Sequence, residues 1–434
     1  MVPETVELLS RYLKIDTTNP PGNESKGVEF FAGIFDTEKC DYKIYEASPG
    51  RQSIRAVVPG SGEKEALILL NHIDVVPAQA EQWSFEPFGG EVKDGFVHGR
   101  GALDMKGQGI MELLAFLDVK RKGLTPCRDL IFMAVADEEV GGKQGVEYLL
   151  DHHPDDFQAD LVLNEGGYGI SNILSTRPLF MISSAEKGVC WLKLTCSGPP
   201  GHGSTPHGQN ALEKLIRGLN RLLEKENPII ITGIIAEYFK QLGEDWEFLT
   251  PYLEDSQTET LIRVLSESGL AEMPQISAMI RNTVSVNIMG AGTKTNIIPS
   301  QAKAELDIRI LPGQDPDIFV SGLKELIADE DLKFEFLTKY DASESPWDTS
   351  AFSLIKAVIT EHFPDALVVP SLLFAASDSR FFRDRGITAY GVCPVLIGLE
   401  DVNRIHGIDE KISLENMIKG TEVYVEIVKE FCGI

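Results

Sequence analysis

The stretch Leu69-Leu70-Asn71-His72-Ile73-Asp74-Val75-Val76-Pro77 decides the fold, together with Gly99-Arg100-Gly101-Ala102-Leu103-Asp104-Met105-Lys106-Gly107 some thirty residues on. Residues 66–70 form an unbroken apolar run, the pattern of a buried strand. That strand ends on His72 and Asp74. A loop punctuated by glycines then delivers Asp104 just before a helical pattern over 107–122. An imidazole and carboxylates at the carboxyl ends of α/β strands are the donors a divalent-cation site needs.

Working outward, helices are expected over 3–15 and 25–36, and strands near 42–46, 52–58 and 65–71. An apolar strand near 129–136 runs into Asp137-Glu138-Glu139. Helix 143–151 follows, then strand 160–164, ending at Asn164-Glu165-Gly166-Gly167. Strands alternating with helices imply an α/β protein whose mostly parallel sheet is flanked by helices. The pattern changes near 186. Strand 189–196, helix 210–225, strands 282–289 and 302–311, helix 316–328 and strand 332–338 make a βαββαβ order, expected as a small antiparallel sheet with two helices on one face. Helical patches near 235–242 and 257–267 fall in an insertion over 228–276. Alternation resumes near 343 and ends in an amphipathic helix over 413–431. The expected organisation is a discontinuous first domain, 1–186 and 342–434, interrupted by an inserted α+β domain at 187–341.

With 434 residues, 43% of them apolar and 24% charged, the chain reads as a folded protein of more than one core. A net charge of −26 with no basic patch argues against a nucleic-acid partner. No run of about 18 apolar residues offers a membrane span. Six cysteines (40, 127, 190, 196, 393 and 432) show no C-x-x-C pairing, so a reducing, cytoplasmic setting is expected.

His72, Asp104, Glu138, Glu139, Glu165 and His406 are the candidate ligands, two imidazoles and four carboxylates at element ends. Such a set can hold two cations about 3.5–4 Å apart, with one carboxylate shared between them. Asp104 is the natural bridge, with His72 and His406 each serving one cation. Of the adjacent pair Glu138-Glu139, one side chain coordinates and the other is left as a general base. Asp74 is expected to orient the His72 ring.

Five motifs in order (His72-x-Asp74, 101–107, 137–139, 164–166 and Gly201-His202-Gly203-Ser204) resemble the dinuclear zinc peptidases and deacylases that include aminoacylase-1, carboxypeptidase G, acetylornithine deacetylase and succinyl-diaminopimelate desuccinylase. The resemblance implies His72, Asp104 and Glu165 around one cation, and Asp104, Glu139 and His406 around the other. It makes Glu138 the base and zinc the expected metal, with cobalt or manganese able to replace it. It makes the inserted domain a lid and dimerisation domain, hence a homodimer, and gives His202 an oxyanion-stabilising role in the partner's site. Asn296 and Arg309 match lid residues that hold a substrate carboxylate.

His98, His152, His153, His207 and His362 read as structural, and Ser377 or Asp378 as the cap of a short helix that also matches a pocket-lining segment in some relatives. The expected activity is hydrolysis of an amide bond next to a free carboxylate, with a small N-acyl amino acid or short peptide as substrate. Trp83 and the insertion resemble the aminoacylase and carboxypeptidase branches. Dipeptidase or carboxypeptidase action, a silent scaffold and a two-metal phosphatase are the alternatives.

Overall fold

A computed structural model describes residues 3–171, 177–243, 245–246, 249 and 258–434. The expected helix start at 257 lies outside the described residues. At the centre runs Lys64–His72, buried from Ala66 onward. It pairs in parallel with Arg128–Val135 on one side and with Ala159–Ile170 on the other. Thr388–Ile397 continues the parallel array beside Ala159–Ile170, and Leu367–Leu373 pairs in parallel with Leu179–Glu186 further out. The hairpin of Asp41–Ser48 and Arg51–Val58 closes one edge in antiparallel fashion. The parallel register sets His72 beside Val135, so the carboxyl ends of neighbouring strands open onto one rim.

Helices cover both faces. Glu4–Leu13, Glu24–Glu38, Lys106–Arg121, Ser350–His362 and Leu414–Cys432 bury one face around Leu67, Leu69, Phe132 and Leu163. Val146–His152 and Ser379–Arg383 cover Ile68, Leu70, Met133 and Val162, the alternate side chains of the same strands.

The βαββαβ unit has the expected order. Its four-stranded antiparallel sheet runs Thr283–Ala291, Gln301–Ile310, Gly188–Ser197, Leu332–Tyr340. Helices Ala211–Leu223 and Pro316–Ile327 bury Leu192, Leu194, Leu306 and Ile308. The Asn210 side chain caps the first helix and Asp315 the second, where Pro316 fits the first turn. The 228–276 insertion behaves differently from its place in the sequence. Ile234, Ile235, Tyr238 and Phe239 of Gly233–Leu242 cluster with Leu179, Leu367 and Val369 of the large sheet, and with Leu311 at the end of a small-sheet strand, so this helix extends the large sheet's layer.

Candidate metal centre

Strand ends and two loops build the site. His72 is held from behind by the Asp74 backbone carbonyl, 2.9 Å from Nδ1. Its Nε2 faces Asp104 Oδ1 at 3.1 Å and Glu165 Oε2 at 3.7 Å. His406 Nε2 faces the other Asp104 oxygen, Oδ2, at 3.1 Å and Glu139 Oε2 at 3.1 Å. Asp104 therefore stands between the two imidazoles with one oxygen toward each. Ligand atoms of His72, Glu138 and Glu165, and of His72, Asp104 and Glu139, fall within 4.8 Å of one another.

Local backbone explains the aim of these side chains. Asp137 (φ 74) and His406 (φ 57) take the left-handed conformation that L-residues rarely adopt, at the two turns that present Glu138-Glu139 and the imidazole. Ala159–Ile170 does not stop at residue 164 as expected. It runs on through a bulge, since Asn164 pairs with Gly391 and the next matched pair is Tyr168 with Cys393. Gly166, at φ 109, supplies the conformation the bulge requires, and Glu165 is turned toward His72.

Asp74 adjoins the His72 ring and also braces the turn beside it. Its carboxylate lies 3.7 Å from His72 Nδ1, while the imidazole is bonded to the main chain of the same residue. The side chain accepts hydrogen bonds from Asn19 Nδ2 at 2.8 Å and from the backbone N–H groups of Glu138 and Glu139, both at 3.2 Å. Asp74 thus holds the glutamate turn. Residues not anticipated from the sequence are Glu410 and Arg100, buried behind Asp104; a glutamate in Gly407-Ile408-Asp409-Glu410 reads as a solvated acid until the fold encloses it.

The electrostatics demand positive charge. Burial, with the Glu165 charge next, pushes the Glu138 carboxyl well above its usual range. Burial and then Asp104 push Glu139 up to about 7. Burial also raises Glu165. Burial works against ionised Asp104 too, but hydrogen bonds from His406 and His72 overcome it and hold that carboxyl well below the usual range. Glu139 Oε1 is buried with no hydrogen-bond partner among the described residues. Crowded carboxylates, two imidazoles and an unused buried oxygen fit divalent cations that take nitrogen and oxygen ligands.

The small-sheet candidates stand apart from this cluster. His202, on a two-residue ribbon with Ile297, is exposed and bonds Ser204 Oγ at 2.7 Å. Asn296 is beside it, its carbonyl accepting from Gly203 N at 2.9 Å. Arg309 sits at the other end of Gln301–Ile310, paired with Asp307 at 2.7 and 3.1 Å. That end reaches the large sheet: Tyr340 and Arg309 both lie opposite Val189, and Arg380 lies over the Tyr340 ring while donating to the Gly141 carbonyl. Ser377 Oγ accepts from Ser379 N and bonds Glu186, whereas the buried Asp378 carboxylate makes no cap. Of the five histidines read as structural, His362 pairs with Glu426, His152 stacks on Tyr148 and His98 packs against Phe85.

Imidazoles and carboxylates gathered at the carboxyl rim of a mostly parallel α/β sheet define a metallohydrolase. Residues 68–430 match the peptidase family M20/M25/M40, and the chain belongs to that family. Over 359 residues it is 32% identical to the human N-fatty-acyl-amino acid synthase/hydrolase, covering 80% of this chain and 70% of that protein. It is 27% identical to pig (Sus scrofa) aminoacylase-1, covering 99% and 96% of the two chains. The fold matches an M20 family metallo-carboxypeptidase from Sulfolobus solfataricus with a TM-score of 0.77 over 100% of both chains, at 19% identity. A Bacillus subtilis protein of known structure, described as a dinuclear metal binding peptidase of this family, matches with a TM-score of 0.60 at 12% identity, over 99% of this chain and 98% of that one. The protein is a metal-dependent hydrolase of this group.

Proposed function

We propose that the protein cleaves the amide bond of N-acyl amino acids, with short peptides as the competing substrate class. The carrying observation is the division of Asp104 between His72 and His406, with Glu138 beside His72 and Glu165. His72, Asp104 and Glu165 would hold one cation, and Asp104, Glu139 and His406 the other; zinc suits these donors, and cobalt or manganese can replace it. When bound, such cations polarise the substrate carbonyl and make water a better nucleophile near neutral pH. Glu138 then takes the proton of the attacking water and passes it to the leaving amine nitrogen. Arg309 receives the substrate carboxylate in exchange for Asp307, a bidentate partner of the same charge.

On this reading 187–341 forms a lid and dimerisation domain on a catalytic body of 1–186 and 342–434, with the inserted helices serving the body. His202 and Asn296 act on the partner's substrate in a homodimer, His202 stabilising the oxyanion. Six unpaired cysteines suit the cytoplasm, and no helix among the described residues is long and apolar enough to cross a membrane.

A panel of N-acyl amino acids and dipeptides, followed by release of the free amino acid, tests the proposal. Chelation should abolish turnover and zinc restore it. Glu138→Gln should lower kcat at least about 100-fold, the usual contribution of a general base, with bound metal unchanged. Full activity after either treatment sinks the reading.

A further inference from the structure

We infer that Glu410 is a positioning residue for one cation site in particular, because it clamps the loop carrying Asp104 to the loop carrying His406. This rests on the two-cation reading above. Glu410 is fully buried, and both its oxygens are in use. Oε2 accepts from Arg100 Nη1 at 2.6 Å and from Gly101 N at 2.9 Å. Oε1 accepts from Leu103 N at 2.7 Å and Asp104 N at 3.1 Å. The same guanidinium donates from Nη2 to the Gly407 carbonyl at 2.6 Å and lies 5.0 Å over the Trp83 ring. One buried carboxylate and one buried arginine thus join residues 100–104 to residues 407–410.

A buried charge is costly unless it is paired and hydrogen-bonded, and here a short chain of contacts satisfies it while fixing two ligand loops at once. The two candidate sites depend on this clamp unequally. His72 is paired with Val135 on the neighbouring strand, and Glu165 lies in a bulge anchored on either side by the paired residues Asn164 and Tyr168. Asp104 and His406 stand on loops, so the site of Asp104, Glu139 and His406 has two clamped ligands of three. The site of His72 and Glu165 keeps two strand-borne ligands whatever happens to Glu410. Loosening the clamp should empty the first site and spare the second.

The test counts zinc bound to purified full-length protein by elemental analysis after dialysis, with zinc titrations and thermal unfolding alongside. Wild type should hold two equivalents. Glu410→Gln, which removes the charge facing Arg100, should keep one and bind the other about 10–100-fold more weakly, the range for losing a partner that orients a ligand. Excess zinc should restore both the second equivalent and kcat. Arg100→Lys keeps a cation near Glu410 but has no fork to reach the Gly407 carbonyl as well, so it should weaken the same site by a smaller factor. If Glu410→Gln does not fold, Arg100→Lys carries the test. Two equivalents retained at wild-type affinity, or two lost in parallel, overturn the inference alone. A wild type that never binds two overturns the two-cation reading as well.

Discussion

Behind His72, the Glu112 carboxyl is enclosed by Asn71, Gln108 and Tyr424, which donate hydrogen bonds of 3.0, 2.9 and 3.2 Å. Burial is the largest influence on it and pushes it up to about 8 from an ordinary 4.5. A group whose folded value is raised gives its full relative stability below the unfolded value and loses it as pH rises through the folded one. For Glu112 that window runs from 4.5 to about 8, where the unfolded chain releases its proton first. Glu112→Gln removes the titration. Its unfolding free energy in urea should therefore gain on wild type as pH rises through the window, by at least about 1 kcal/mol, since one unit of displacement is worth about 1.4 kcal/mol. A difference independent of pH would show that Glu112 ionises in the folded protein as freely as in the unfolded one. Single residues were unequally legible. His72, Asp104, Glu138, Glu139 and Glu165 follow apolar runs or adjoin glycines, which mark them as ends of strands and turns. Glu112, within an apolar helix, and Glu410 mark no end of a strand, and their partners include segments hundreds of residues away, Tyr424 for one and Arg100 for the other.

Among the elements, the strand Ala159–Ile170 shows how a glycine pair can mislead. Gly166-Gly167 reads as the end of a strand, and in the fold it lets the strand bulge and continue. The partner strand makes room for this. A Cβ on Gly391 would strike the carbonyl oxygen of Glu165 and press on the Ser183 side chain. Gly391→Ala should therefore cost about 1–3 kcal/mol as overpacking does, and should displace Glu165, weakening the His72 side of the centre. Urea unfolding and zinc counting measure the two effects; wild-type values in both would show that this close approach does not place Glu165. The βαββαβ unit was legible because its strands alternate and its helices carry one apolar face. The packing of the 228–276 helices was not. Ile234, Ile235, Tyr238 and Phe239 announce that they must be buried, but one-dimensional spacing cannot say whether the small sheet or the large one receives them.

At the scale of the whole molecule, Gln301–Ile310 acts as a spacer. From Gln301 to Arg309 eight residues of extended strand span roughly 27 Å, and the His202 ribbon lies beyond the Gln301 end. Arg309 is at the end whose neighbour Tyr340 contacts Arg380, next to the glutamate turn. Within one chain, His202 and Arg309 cannot both touch a substrate the size of an N-acyl amino acid. The role proposed for His202 therefore requires a second copy, and hybrid dimers test it. His202→Ala and Glu138→Gln should each be nearly inactive alone. In a mixed dimer, the subunit carrying His202→Ala still has its own Glu138 and receives His202 from its neighbour, so one of the two sites is whole. Random exchange makes half the dimers hybrid, and activity should recover to roughly a quarter of wild type. Size-exclusion of differently tagged chains establishes that exchange took place. No recovery from exchanged dimers, or a protein that stays monomeric, would remove His202 from the chemistry and leave oxyanion stabilisation to groups already at the rim of the large sheet.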